Sequence, residues 1–188
     1  MNPDRALVGA ALANAPGAFE RLVREHQGLC WRIIYRIVHH REDAEDLCQE
    51  TFLRVHRYLH QYRFESALNT WIGQIAYSVA LRYMERRRLP LITDTGDMTD
   101  ISVVENVGDG VEIEAVCMNT EILGHVHDAI DSLPPLQRTL MTLYHVEGLS
   151  IADVSRITGL ARGTIKSHLF RARFKLRATL TALLGENK

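Results

Sequence analysis

Apolar residues recur every three to four positions along most of the chain, and this periodicity limits the possible folds more than any other feature. It predicts helices at about 4–13, 16–26, 28–39, 42–60, 70–88, 120–132, 136–146, 150–158 and 161–183. No segment alternates apolar and polar residues as a half-buried strand would. We therefore expect an all-α protein.

The helical pattern is interrupted at residues 89–119. This segment contains several helix breakers, namely Pro90, Gly96, Gly108 and Gly110, and its acidic side chains have no basic neighbours in the sequence. It is typical of a flexible, acidic linker, and we expect one short helix near 112–117. The chain then consists of two small helical domains, at residues 1–88 and 120–188, joined by the linker at 89–119.

Charge is distributed unevenly between these segments, although the net charge of the chain is only −1. Residues 1–88 carry a net charge of +3, and residues 138–188 carry +6. Residues 89–137 carry −10 and contain no lysine or arginine. Seven basic residues and no acidic residue lie from Arg156 to Arg177. This basic cluster indicates a surface that binds a polyanion.

A helix, a glycine turn and a second helix are predicted near the C-terminus. Ser150 is placed to cap a helix that carries Ile151, Val154 and Ile157 on one face, and Asp153 is placed to bond back to the cap. Gly159 can adopt the positive φ of a tight turn, and the second helix starts near Ala161. This order is typical of a helix-turn-helix.

The second helix of this motif has one apolar stripe bordered by basic residues. The stripe consists of Ile165, Leu169, Ala172 and Leu176. Basic residues on either side are Arg162, Lys166, Arg171, Arg173, Lys175 and Arg177. Arginine can bind guanine or phosphate, and lysine mainly binds phosphate. The short residues Gly163, Thr164 and Ser167 would allow close approach to a major groove.

Three runs here carry a resemblance to a known family. They are Leu133–Arg138 (LPPLQR), Glu147–Ser150 (EGLS) and Gly163–Arg173 (GTIKSHLFRAR). They resemble region 4 of the sigma-70 family, in the extracytoplasmic-function (ECF) group. The resemblance implies binding of the −35 promoter element and of the polymerase β flap. The implied −35 contacts are Arg162, Gly163, Thr164, Lys166, Ser167, His168, Arg171 and Arg173. His168 stands where the family commonly has arginine.

A second motif is the acidic run Glu42–Phe52 (EDAEDLCQETF). On a helix its inner face would consist of Ala44, Leu47, Cys48, Phe52, Val55 and Leu59. Leu53 falls on the opposite face among carboxylates, which favours a protein-binding surface over a merely solvated one. The run resembles region 2 of the same family, which docks on the β′ clamp helices of RNA polymerase. The implied docking residues are Asp43, Glu45, Asp46, Gln49, Glu50 and Leu53.

The third motif is Asn69–Ala76 (NTWIGQIA), followed by the basic cluster Arg86–Arg88. Periodicity predicts that Ile72, Ile75, Ala76, Val79 and Tyr83 face inward, and that Gln74, Tyr77, Ser78 and Leu81 face outward. Polar and aromatic groups beside cations suit a separated DNA strand, because bases stack on rings and phosphates attract cations. The run resembles the family helix that captures the −10 element together with a preceding loop, here Phe64–Leu68.

The implied −10 contacts are Phe64, Trp71, Gln74, Tyr77, Ser78, Arg82, Arg86, Arg87 and Arg88. Ser78 stands where the family usually has asparagine, Arg82 where aspartate is common, and Asn69 where a basic residue is common. These departures indicate an unusual −10 sequence preference.

The resemblance implies a sigma factor that binds core RNA polymerase and both duplex and single-stranded promoter DNA. An anti-sigma factor is a further expected partner. We expect no enzyme activity, cofactor, bound metal or membrane insertion, and we expect a cytoplasmic location. Cys30, Cys48 and Cys117 share no close spacing and are expected to be buried free thiols.

Two other functional classes remain open at this stage. One is a conventional helix-turn-helix regulator with an N-terminal sensing domain, which would not need the acidic helix, Trp71 and the basic cluster. The other is an anti-sigma or adaptor protein, which the basic recognition helix disfavours. Enzyme motifs are weak: Asp94-Thr95-Gly96 occurs once within the linker, and His125 and His127 form an isolated pair.

Overall fold

The computed structural model describes residues 3–87 and 129–185, and every regular element in these ranges is helical. The prediction of an all-α protein is therefore confirmed. The N-terminal helices are α1 (Pro3–Leu12), α2 (Ala18–Val38), α3 (Arg41–Tyr58), a 3₁₀ turn (Leu59–Gln61) and α4 (Leu68–Arg86). The C-terminal helices are α5 (Pro135–Met141), which continues as a π-helical turn (Thr142–Val146), α6 (Ile151–Thr158) and α7 (Arg162–Gly185). The linker at 89–119, its short helix near 112–117 and most of the predicted helix at 120–132 lie outside the described residues.

The prediction of separate helices at 16–26 and 28–39 is wrong, because α2 runs through Gly28 without a break. Glycine inside a helix costs only about 1 kcal/mol relative to alanine. The apolar face that continues across Gly28 through Leu22, Leu29 and Ile33 is buried and offsets that cost. The helix ends at His39, which adopts a positive φ of 55°.

The N-terminal helices form a bundle in which α2, α3 and α4 pack against one another and α1 lies against α2. The first helix also closes the start of α4. The carboxylate of Asp4 accepts a hydrogen bond from the backbone N–H of Leu68 at 3.1 Å. Because Ala67 at the N-cap has no side-chain oxygen, Asp4 supplies from a distant position the acceptor that a capping residue normally provides.

The predicted helix-turn-helix is present as α6 and α7. The Ser150 hydroxyl accepts a hydrogen bond from the backbone N–H of Asp153 at 3.1 Å. The Asp153 carboxylate in turn accepts a hydrogen bond from the Ser150 hydroxyl, and not from the backbone N–H of the cap, with the two oxygens 2.6 Å apart. Gly159 ends α6 with a φ of 75°, as the turn requires.

The two groups of helices share one hydrophobic core. Helices α2 and α4 of the N-terminal bundle contact α5 and α6 of the C-terminal group. Ile33 on α2 and Ile157 on α6 both lie beside Gly73 of α4, and all three residues are buried. The sequence indicated two domains but gave no sign that they pack together.

Candidate polymerase- and DNA-binding surfaces

The face of α3 that the sequence assigned to docking is open to solvent. Glu45, Asp46 and Gln49 are exposed, Glu50 is half-buried, and Leu53 is 72% exposed. A large apolar side chain at that exposure can contribute to a protein-binding surface.

Asp43, which was assigned to the same docking face, instead faces α4. Its carboxylate lies 3.0 Å from His40 Nδ1 and 3.5 Å from a guanidinium nitrogen of Arg87. The neighbouring Tyr83 hydroxyl, followed by the positive charge of Arg87, lowers the pKa of Asp43. Burial, together with the neighbouring Asp43 carboxylate, raises the pKa of Tyr83 to about 12. Asp43 therefore joins α3 to α4 and is not available in the way that Asp46 is.

A groove of about 600 Å³ lies between α3 and α4. It brings residues assigned to polymerase docking together with residues assigned to the −10 strand. Its lining residues are Glu50, Leu53, Arg54, Arg57, Tyr58, Gln74, Ile75, Ser78 and Arg82. Arg54, Arg57 and Tyr58 were not among the site residues predicted from the sequence. Arg54 could have been found, since it follows Glu50 by four residues on a helix, and the two are paired at 2.5 Å.

The outward face predicted for α4 is only partly correct. Gln74, Ser78 and Leu81 are half-buried, and Arg82, Arg86 and Arg87 are exposed. Tyr77, predicted to face outward, is only 6% exposed, and this burial raises its pKa. Ile75 and Tyr83, predicted to face inward, are half-buried. Arg88 lies outside the described residues.

The orientation of Tyr77 differs because α4 is packed on more than one side. It contacts α2, α3 and also α6. The sequence prediction assumed one buried face, marked by a single apolar stripe. For a helix that is packed on several sides, this assumption predicts too many exposed residues.

The loop before α4 holds an aromatic cluster. Phe64 has a positive φ of 59°, and its ring lies 4.6 Å from that of Tyr62 and 5.1 Å from the Arg5 guanidinium. Trp71 lies 5.4 Å from Tyr62. Phe64 and Trp71 are half-buried, so each presents part of a ring at the surface. A bulky residue with positive φ carries backbone strain, which is often found at binding sites.

The N-terminal part of α7 presents the expected polar surface. The exposed candidates are Arg162, Gly163, Thr164, Lys166, Ser167 and Arg173, and Arg171 is half-buried. Ile165, Leu169 and Ala172 are buried, as the stripe predicted. His168 is only 7% exposed, and its assignment as a direct −35 contact stays a prediction. It lies one position before Leu169, at the edge of the buried stripe.

Part of the α4 surface is covered by the first helix of the helix-turn-helix. The Gln74 side-chain amide donates a hydrogen bond to the backbone carbonyl of Arg156 at 3.0 Å. A Cβ atom on Gly73 would lie 3.0 Å from Ile157 Cδ1, so the glycine lets α6 approach closely. Gln74, assigned to the separated DNA strand, is therefore engaged by the C-terminal group.

Two ion pairs also join the helical groups. Arg32 on α2 donates two hydrogen bonds to the Glu147 carboxylate, one of them at 2.9 Å. Arg36 donates to Asp131. The hydrogen bonds to Glu147 raise the pKa of Arg32.

Among residues 3–87 and 129–185, no group of three or more His, Cys, Asp or Glu side chains is arranged to hold a metal ion. No helix within those ranges is long and apolar enough to cross a membrane.

Comparison with family models identifies both helical groups. Residues 22–89 match sigma-70 region 2, and residues 123–176 match sigma-70 region 4. The chain belongs to the sigma-70 family of RNA polymerase sigma factors. Because region 2 occupies the N-terminal part, the alternative of a sensing domain at that position is wrong.

Similar proteins place the chain in the ECF group of that family. It is 33% identical to the RNA polymerase sigma-H factor of Pseudomonas aeruginosa, over 97% of this chain and 96% of that protein. It is 31% identical to the ECF RNA polymerase sigma-E factor of Haemophilus influenzae, over 96% and 97% of the respective chains. The protein thus directs RNA polymerase to promoters for transcription initiation.

Solved structures support the fold. CnrH, in complex with the cytosolic domain of CnrY, has a TM-score of 0.64 at 20% identity, over 95% of this chain and 97% of that one. The sigma factor RpoE of Bartonella quintana, in complex with the anti-sigma factor NepR, has a TM-score of 0.62 at 23% identity, over 88% and 98%.

Proposed function

We propose that three surfaces divide the work of promoter recognition. The exposed face of α3, with Glu45, Asp46, Gln49, Glu50 and Leu53, docks on the β′ clamp helices of core polymerase. Helix α4 and the Phe64 loop hold the opened −10 strand. The exposed N-terminal part of α7 binds duplex DNA at the −35 element, while the preceding helices meet the β flap. The protein acts by binding and not by catalysis.

The observation that carries this proposal is the groove between α3 and α4. Leu53 and Glu50 of the docking face line the same groove as Ser78 and Arg82 of the DNA-binding face. A chain docked through α3 would therefore hold the opened strand directly beside the polymerase. Arg54 and Arg57 supply further positive charge in the groove for phosphates.

We propose that the chain divides into an N-terminal domain at residues 1–88, a linker at 89–119 and a C-terminal domain at 120–188.

The −10 and −35 elements are separated by about 25 base pairs, or about 85 Å of duplex at 3.4 Å per base pair. A compact chain of this length has a radius of gyration of only about 16 Å. Both elements can therefore be bound only after α6 leaves α4. The segment between residues 87 and 129 is long enough, because 41 residues can span at most about 135 Å.

The arrangement in which α6 packs against α4, which we call the closed form, also fits control by a partner protein. The solved structures of similar fold were determined with the cytosolic domain of CnrY and with the anti-sigma factor NepR. We propose that an anti-sigma factor binds this chain too, and that the protein acts in the cytoplasm, where core polymerase works.

The docking proposal is tested by charge reversal at Asp46 and Glu50. The double variant Asp46→Lys and Glu50→Lys should bind core polymerase more weakly, by about 1 kcal/mol per charge, because both carboxylates border the docking face. Binding to core enzyme in the absence of DNA is the measurement. The matched control reverses Glu20 and Glu25 on α2, which are also exposed. Equal affinity of the docking variant and the control would remove the assignment of this face.

A further inference from the structure

Cys30 and Cys48 lie next to each other, although 18 residues separate them in the sequence. Cys30 is on α2 and Cys48 on α3, and their sulfur atoms are 3.7 Å apart. A disulfide bond is about 2.05 Å long, so the two atoms must move together by less than 2 Å to become bonded. The spacing of the three cysteines in the sequence does not predict this contact, because it depends on the packing of two helices.

The two thiols differ in their access to solvent. Cys30 is fully buried at 0% exposure, whereas Cys48 is half-buried. We therefore expect a small oxidant to react with Cys48 before Cys30. No third metal-binding side chain accompanies the pair in the described residues, so the pair fits redox chemistry better than a structural zinc site.

The environment also makes Cys48 the more acidic thiol. The hydrogen bond from the Cys30 thiol stabilises the Cys48 thiolate and lowers the pKa of Cys48. The same hydrogen bond, together with burial, raises the pKa of Cys30. The thiolate is the nucleophilic form of cysteine.

We propose that Cys30 and Cys48 form a reversible oxidation site that hydrogen peroxide converts to an intramolecular disulfide. Cys48 is the residue oxidised first, and Cys30 is the resolving residue. The bond would fix α2 to α3 beside Gln49 and Glu50, on the helix that carries the docking face.

The reaction balances with peroxide as the only oxidant. The Cys48 thiolate attacks one peroxide oxygen, the O–O bond breaks, and the departing hydroxide takes up a proton to form water. Cys48 is then a sulfenic acid. The Cys30 thiol loses its proton, its sulfur attacks the Cys48 sulfur, and hydroxide leaves and is protonated to a second water. Two thiols are oxidised by two electrons, and one peroxide is reduced.

The test uses the full chain with Cys117→Ser, so that only the pair remains. The protein is treated with hydrogen peroxide, denatured and alkylated with N-ethylmaleimide, and its intact mass is measured by mass spectrometry. We expect two alkyl groups before treatment, none after it, and two again when dithiothreitol follows the peroxide. Trypsin should release the peptides at 25–32 and 42–54 joined to each other, since Arg24, Arg32, Arg41 and Arg54 bound them.

Single variants test the order of the steps. Cys30→Ser should stop at a Cys48 sulfenic acid that dimedone labels. In Cys48→Ser the remaining Cys30 should react at least about tenfold more slowly, because it is buried and protonated. The proposal is wrong if both thiols remain alkylatable, if they become sulfinic acids without cross-linking, or if the disulfide joins two chains. The assigned order is wrong if Cys30 alone is labelled quickly.

Discussion

Reversing the charge of Arg32 is expected to separate the two helical groups. Arg32 donates two hydrogen bonds to Glu147, which lies 115 residues further along the chain. The Glu147 side chain is only 12% exposed, whereas the Arg32 side chain is 43% exposed. Arg32→Glu would remove both bonds and bring two carboxylates together.

The size of the effect follows from the exposure of the pair. Hydrogen bonds that involve a charged group contribute about 1.5–3 kcal/mol, and exposed ion pairs contribute about 0–1 kcal/mol. Because the Arg32 side chain is 43% exposed and Glu147 is largely buried, we take the contribution of this ion pair to the contact between the helical groups as about 1–2 kcal/mol. The ratio of closed to open chains should then fall about 5–30-fold. The pair between Arg36 and Asp131 and the contact between Gly73 and Ile157 would remain.

Small-angle X-ray scattering and hydrogen exchange measure this separation. The radius of gyration should rise in Arg32→Glu, and the backbone amides of α6 should exchange faster. A second substitution, Glu147→Arg, should restore the closed form, because it exchanges the two charges. The control is Arg21→Glu, also on α2, since within the described residues Arg21 pairs with its neighbour Glu25 on the exposed surface.

Two results would refute this reasoning. Unchanged scattering and exchange in Arg32→Glu would mean that the ion pair does not hold the groups together. A larger radius that the charge exchange fails to reverse would mean that Arg32→Glu acts by damaging α2 and not through Glu147.

Three further predictions concern single residues. Because the pKa of Asp43 is lowered, its contribution to stability is present above the ordinary carboxyl pKa of about 4 and is lost as the pH falls through the lowered pKa. Thermal melts of Asp43→Asn should lack this acid-dependent loss of stability. Phe64→Ala should slow promoter opening, and a pre-melted template should rescue it. Because Tyr77 is buried, Tyr77→Ala should mainly lower the melting temperature of the protein. Permanganate footprinting and protein melting curves distinguish the two effects, and an opening defect in Tyr77→Ala but not in Phe64→Ala would contradict the assignment. His168→Arg should destabilise the C-terminal group instead of improving −35 binding, because it buries a charge; tighter binding in a gel shift without loss of stability would contradict this.

The helix-turn-helix could be predicted closely because its determinants are local. Ser150, Gly159 and the stripe at Ile165, Leu169 and Ala172 lie within a short stretch of sequence, and each acts on its own neighbours. The exposed Leu53 was predictable for the same reason, since one helix wheel is enough to place it.

The remaining features depend on contacts between distant residues. The cap that Asp4 provides for α4, the thiol contact of Cys30 with Cys48 and the burial of Tyr77 each need the packing of two or more helices. No periodicity in one segment contains that information. The helix break predicted at Gly28 was wrong for a related reason. Burial of the flanking apolar face outweighed the low helix propensity of glycine.

The two ion pairs that join the helical groups also set a concentration threshold. A ligand that binds only the open chain has an apparent dissociation constant equal to its intrinsic value divided by the open fraction. If about one chain in a hundred is open, half-saturation of a promoter that needs the open chain requires about a hundredfold more free protein. Substitutions at Arg32, Arg36, Asp131 or Glu147 would then adjust the dose at which transcription starts while leaving every DNA-contacting residue unchanged.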